Sequence, residues 1–134
     1  MSHSRRDPRA MRDYLCDYER VVEVGIGRRT DLAAALAQRG IVVTATDVYD
    51  REVPDGVRFV RDDVVDPDRG VYADADAIYA RNLPPELHRP ALDVARAVDA
   101  DFLFTTLGGD QPAVPVERTT IREGTLYVAR SSSP

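Results

Sequence analysis

The sequence predicts an α/β fold with a mainly parallel sheet and an antiparallel hairpin at its carboxyl end. Three observations predict it. Short β-branched apolar runs recur along the 134 residues. Stretches of helical period follow several of these runs, as strand–helix–strand units require. The last two runs are instead joined by Arg122-Glu123-Gly124, a tight turn that reads as a closing hairpin.

Taken in order, residues from about Met11 to Tyr18 read as a short helix. Arg20 to Val24 carries Val21, Val22 and Val24 and ends at a glycine, as a buried strand does. Asp31 to Arg39 reads as a helix with Thr30 or Asp31 as N-cap and Gly40 just past its end. Its Leu32, Ala35 and Leu36 share the face that covers a sheet. Ile41–Thr46, Val57–Val60, Ala75–Tyr79 and Phe102–Leu107 read as the next four strands. Pro84 to about Val98 reads as helix in two pieces, because Pro90 must start a turn or kink one. Val116–Ile121 and Thr125–Arg130 form the hairpin. The expected organisation is a flexible tail over 1–10, one domain over 11–130 and a frayed end over 131–134.

Composition narrows the function classes. Hydrophobic residues at 43% with 31% charged residues define a globular chain with enough apolar surface for a core. No apolar run approaches the ~20 residues of a membrane helix. The charged start from Met1 to Arg12 has no apolar stretch behind it and is no secretory signal, so a soluble cytoplasmic protein is expected. The net charge of −5 argues against nucleic acid as a partner, and the cluster Arg5, Arg6, Arg9 and Arg12 reads as a solvated tail. All 18 basic residues are arginine and aspartate far outnumbers glutamate, a bias that fits a GC-rich genome or a high-salt cytoplasm. Cys16 stands alone among tyrosines and reads as a small buried hydrophobe. With only His3 and His88 besides, no metal site is expected.

Ligands of open parallel sheets bind beyond the carboxyl ends of the strands, so chemistry is sought there. The first strand ends Glu23-Val24-Gly25-Ile26-Gly27. Gly25 and Gly27 suit a tight turn that lets a ligand approach the backbone. Asp47 follows the second strand, 20 residues beyond Gly27, where a carboxylate accepts hydrogen bonds from a ribose diol or else caps its own turn. Asp62 and Asp63 follow the third strand, either against an exocyclic amine of a base or as a solvated turn. Asn82 follows the fourth strand just before Pro84 and Pro85, as a substrate-orienting amide or as a helix cap. Arg28 and Arg29 enter the glycine turn, either as a phosphate site or as solvated side chains.

Glu-x-Gly-x-Gly after the first strand, with Asp47 after the second, resembles the Rossmann-like fold of S-adenosylmethionine-dependent methyltransferases. Nicotinamide-binding domains of related fold usually carry an apolar residue where Glu23 stands. The resemblance implies a minimal three-layer sandwich. It also implies that Glu23, Gly25 and Gly27 lie against the methionine portion of S-adenosylmethionine, that Asp47 holds the ribose, and that Asp62 or Asp63 meets the adenine. The chain from about Leu15 to Arg130 is similar also to an uncharacterised family of small archaeal proteins of this fold. That similarity rests on Val-Glu-Val-Gly-Ile-Gly ending at Gly27, on Asn82-Leu83-Pro84-Pro85-Glu86-Leu87 and on Phe104-Thr105-Thr106-Leu107-Gly108-Gly109. No activity comes with the family, so it implies a fold and a pocket.

Three features depart from the methyltransferase pattern. Arg28 and Arg29 stand where a further small residue often follows the glycines. The segment 63–74 is too short for a full helix. Leu83 separates Asn82 from the prolines. The expectation is a small-molecule, nucleotide-like ligand, S-adenosylmethionine by resemblance, with Asn82 orienting a methyl acceptor and Tyr79 or His88 assisting. The alternative is a non-catalytic module of the same fold that binds a nucleotide or a partner protein.

Overall fold

The computed structural model describes residues 9–122 and 124–131. Among them seven strands form one sheet: β1 (Arg20–Val24), β2 (Val42–Asp47), β3 (Val57–Arg61), β4 (Ala77–Ala80), β5 (Asp101–Phe104), β6 (Glu117–Ile121) and β7 (Gly124–Ala129). Their spatial order is β3-β2-β1-β4-β5-β7-β6. The first five run parallel, whereas β7 is antiparallel to both β5 and β6. The expected mainly parallel sheet with its terminal hairpin is therefore the observed one.

Among the described residues four α-helices cover the sheet: α1 (Arg9–Leu15), α2 (Asp31–Gln38), α3 (Arg69–Tyr72) and α4 (His88–Ala97). Side chains alternate across a strand, so each strand serves both faces. Val21, Val43, Ala45, Ala77, Tyr79 and Leu103 pack beneath Met11 and Leu15 of α1 and Leu32, Ala33 and Leu36 of α2. Val22, Val24, Ile78, Ala80, Phe102 and Phe104 pack on the other face against Tyr72 of α3 and Ala91, Leu92 and Ala95 of α4. The result is a three-layer sandwich.

Element boundaries differ from the sequence reading in ways that have local causes. Helix α1 begins at Arg9 and stops at Leu15, so the tail expected over 1–10 already holds its first residues; the rest of that tail, residues 1–8, and residues 132–134 lie outside the described structure. Cys16 sits in the turn after α1 and is only partly buried, not the buried hydrophobe expected. The short segment after β3 does make one helical turn, α3, because Asp68 caps it by accepting from the Gly70 N–H at 3.0 Å. The two-piece helix is observed, but its break precedes Pro90. A 3-10 turn over Pro85–Leu87 leads into α4, whose first turn accommodates Pro90 because that position needs no intrahelical N–H bond. Strand β5 ends at Phe104, three residues short of Leu107.

The chain leaves β1 for β2 and β3 on one side, then returns to β4 on the other. The carboxyl ends of β1 and β4 thus flank the switch point, where open α/β sheets bind their ligands. Among the described residues no helix is long and apolar enough to cross a membrane.

Candidate functional site

The turn after β1 is built on its glycines. Gly25 and Gly27 have φ of 69° and 58°, values that a side chain makes costly. A Cβ added at either would meet no atom within 4 Å. The glycines are therefore demanded by backbone conformation, and open space lies beside them. The Ile26 N–H donates to the Thr46 carbonyl at 3.0 Å, and the Gly27 N–H donates to Asp47 Oδ2 at 2.8 Å, so β2 holds the turn in place.

Glu23 is the unusual group. It sits in β1 between valines, is 1% exposed, and shares its face with Tyr79, its direct partner in β4. The Tyr79 hydroxyl donates to Glu23 Oε1 at 2.8 Å. Oε2 takes no hydrogen bond from the described residues, and the Nε of Arg81 stands 4.0 Å away from it. Arg81 in turn donates from Nη2 to the Arg29 carbonyl at 3.0 Å and to Asp31 Oδ1 at 2.9 Å. Burial pushes the Glu23 carboxyl up to about 7, against the opposing pull of Arg81 and the Tyr79 hydrogen bond. Burial, then the Glu23 charge, pushes the Tyr79 phenol well above its ordinary value. Burial of Asp31 is outweighed by the Arg81 guanidinium, which holds its carboxyl below the usual range.

Asp47 lies at the end of β2 and is 7% exposed. Besides the Gly27 amide, it accepts the Tyr49 N–H on Oδ1 at 3.0 Å, and Arg51 Nε lies 3.3 Å from Oδ2. It caps its own turn, one of the two readings open in the sequence, and it also anchors the glycine turn. Asp62 is tied on both oxygens, to the Tyr72 hydroxyl at 2.6 Å and the Asp68 N–H at 2.9 Å. Asp63 accepts the Val65 N–H at 2.9 Å on Oδ1 alone.

Asn82 does not cap a helix; Pro84 stands at that position. Its φ of 54° turns the chain out of β4, a conformation that asparagine tolerates better than most residues. Its N–H donates to Thr105 Oγ1 at 2.9 Å, while its exposed side chain takes no hydrogen bond from the described residues. His88 is fully buried. Its Nδ1 accepts the Ala113 N–H at 3.0 Å, which makes Nε2 the protonated nitrogen, donating to the Leu83 carbonyl at 2.9 Å. His88 therefore joins the loops after β4 and β5 and has no face toward substrate. Arg28 is exposed, and Arg29 is partly buried.

Sequence reasoning missed Arg81 and Arg51. Arg51 was recoverable as the residue four positions after Asp47. Arg81 was not, because its partner Glu23 lies on a strand 58 positions earlier in the chain, and only the β1–β4 pairing brings them together. A hollow of about 700 Å³ lies at the opposite edge of the sheet, lined in part by Tyr14, Tyr18, Asp101 and Arg130. Four of its polar groups pair with one another: Tyr18 donates to Asp101 at 2.7 Å and Arg130 to the Tyr14 hydroxyl at 2.9 Å. Among the described residues, no three His, Cys, Asp or Glu side chains are grouped to hold a metal ion.

Strand order, the glycine turn and its flanking acids define a Rossmann-like fold of the methyltransferase kind. An RNA methyltransferase from Salinibacter ruber, in complex with S-adenosyl-L-homocysteine, superposes with a TM-score of 0.64 at 14% identity. The match covers 92% of this chain and 90% of that one. The 1,6-didemethyltoxoflavin-N1-methyltransferase of Burkholderia thailandensis, with bound S-adenosylhomocysteine, superposes with a TM-score of 0.56 at 22% identity, over 98% of this chain and 63% of that one. At such identities the likeness is one of fold. Over residues 9–132 the chain matches, and belongs to, the Uncharacterised protein family (UPF0146). Its relatives are archaeal; a Halobacterium salinarum member is 59% identical over 119 residues, covering 88% of this chain and 92% of that protein.

Proposed function

We propose that this chain binds S-adenosylmethionine at the carboxyl edge of its sheet and acts as a minimal methyltransferase. The observation that carries the reading is Glu23. A carboxylate that is 1% exposed keeps one oxygen unbonded, beside two positive-φ glycines with open space around them. Burying a carboxylate is costly, and groups held at such a cost cluster at functional sites. In this reading Glu23, Gly25 and Gly27 hold the methionine portion, Asp47 accepts from the ribose, and Asp62 or Asp63 meets the adenine amine.

The cofactor supplies an electrophilic methyl group, so catalysis mainly requires alignment of an acceptor. In this reading Asn82, exposed and with no side-chain hydrogen bond to the described residues, orients an amine or hydroxyl. Titration calorimetry with S-adenosylmethionine, S-adenosylhomocysteine and NAD tests the reading. Submillimolar affinity for the first two is expected, and the reading fails if neither binds.

One observation favours a second reading, a non-catalytic nucleotide or protein-binding module. Asp47 already bonds the Gly27 and Tyr49 amides, so the glycine turn is held without a ligand. Under that reading Asn82→Ala leaves all measurable function intact, whereas a methyl-transfer activity abolished by Asn82→Ala excludes it.

A further inference from the structure

We infer that residues 106–112 form a lid beside Asn82 that closes when the proposed cofactor site is occupied, and that the acceptor it covers is a small molecule without anionic charge. The inference rests on the proposed methyl-transfer site and adds to it a moving part and a class of acceptor.

Strand β6 runs parallel to β5, because both are antiparallel to β7. The connection over 105–116 therefore leaves the carboxyl edge and crosses to the amino edge of the sheet. Both its ends are fixed. At the start, the Thr105 N–H donates to the Ala80 carbonyl at 3.1 Å, and its carbonyl and Oγ1 accept the Leu83 and Asn82 N–H groups at 2.9 Å each. At the far end, the Ala113 N–H donates to His88 Nδ1 at 3.0 Å, and Val114 is buried in the core. The stretch between is tied mainly to itself. Thr106 Oγ1 donates to the Asp110 carbonyl at 2.9 Å, and the Asp110 N–H to the Leu107 carbonyl at 3.3 Å. Among the described residues, its hydrogen bond to another part of the chain comes from exposed Arg118, whose Nη2 donates to Gln111 Oε1 at 3.2 Å.

The tip of this stretch is apolar and pivoted. Leu107 is 67% exposed. Gly108 follows at a φ of 61°, and Gly109 comes next, so the backbone there turns without a side chain to strain it. A loop with few bonds to the body and fixed ends moves at low cost, as active-site lids do. A bound ligand beside Asn82 gives Leu107 an apolar surface to cover, and closure excludes water from the reacting groups.

The charge of the two loops selects the acceptor. Loops 82–87 and 105–116, which Thr105 stitches together at Asn82, carry Glu86 and Asp110 but no lysine or arginine. Arg118, the cation that touches the lid, is engaged by Gln111 and lies over the Tyr127 ring. A nucleic acid needs free cations along its path, and these loops offer it carboxylates. A small neutral or cationic acceptor meets no such repulsion, and a tip whose two ends are pinned has the reach to enclose one.

The chain contains no tryptophan, so Leu107→Trp places a lone fluorophore at the tip. Saturation with S-adenosylhomocysteine is expected to shift its emission to the blue and to protect it from acrylamide. In wild type, amide exchange over 107–111 is expected to slow by about tenfold or more on the same addition, while Ala113, already pinned, stays as it was. The wild-type measurement holds where Leu107→Trp does not fold. Calorimetric binding of S-adenosylhomocysteine without either change overturns the lid and leaves the cofactor site standing. Absence of binding overturns the site and the lid with it. A short oligouridylate, added to the loaded protein at physiological salt, is expected to leave both signals unchanged; if it further protects 107–111, the acceptor class is wrong while the lid remains.

Discussion

Replacing Glu23 by glutamine removes the charge that the fold tolerates least. In the folded chain the carboxyl is raised from 4.5 to about 7 by burial, with Arg81 and Tyr79 offsetting only part of the cost. Below pH 4.5 the acid is protonated whether the chain is folded or not, and it costs no charge burial. Between 4.5 and 7 the unfolded chain releases the proton while the folded chain keeps it, so stability falls as pH rises. Above 7 both forms are ionised and the loss is complete, amounting to about 3 kcal/mol at 1.36 kcal/mol per pH unit. Glutamine mimics the protonated acid at every pH. Relative to its value at pH 4.5, the stability advantage of Glu23→Gln should therefore grow to about 3 kcal/mol at pH 8, roughly 10 °C in Tm for a domain of this size. Urea unfolding of both proteins at pH 4.5, 6 and 8 measures it. A difference that stays flat with pH, or one that favours wild type increasingly as pH rises, refutes the account of Glu23 as a buried charge kept at a cost in stability.

The same titration predicts that S-adenosylhomocysteine binding weakens as pH falls below about 7, by up to tenfold per unit, because a protonated Glu23 no longer attracts an ammonium group; calorimetry across pH 5.5–8 should show this slope in wild type and lose it in Glu23→Gln. Asp47→Ala is expected to lower both stability, by about 1–3 kcal/mol, and ligand affinity, by about tenfold or more, since it strips the Gly27 and Tyr49 amides of their acceptor. Paired thermal melts with and without ligand check it, and unchanged stability would mean that the anchor is idle. His88→Ala should cost about 3 kcal/mol through two lost hydrogen bonds and a cavity against Phe104, 4.5 Å away between ring centroids. Hydrogen exchange should then quicken at Ala113, whose N–H loses its acceptor; unaltered protection there counts against His88 as the tie between the two loops.

Much of the fold was legible because its signals are local. Runs such as Val21, Val22 and Val24 declare a buried strand, and the Gly25–Gly27 turn declares itself because positive φ penalises every residue with a Cβ. Alternation of strands and helices then implies a parallel sheet, and a tight turn between two adjacent apolar runs implies the antiparallel edge. Boundaries drifted where competing local signals were close in strength, as at β5, where Thr105 and Thr106 have strand propensity but leave the sheet.

Glu23 and Asp47 were visible as acids at strand ends, a placement that the sequence by itself determines. Their roles were decided by tertiary structure. Parallel pairing of β4 beside β1 sets Tyr79 against Glu23 and carries Arg81 to the same carboxylate, although no periodicity links positions 23, 79 and 81. His88, which the sequence offered as a helper of substrate, is instead enclosed between the loops after β4 and β5. Secondary structure follows from backbone sterics and the period of apolar residues, which act over a few positions. Hydrogen-bond partners and the charge state of a buried acid depend on which distant strand lies alongside and excludes water, and that is settled only when the sheet assembles.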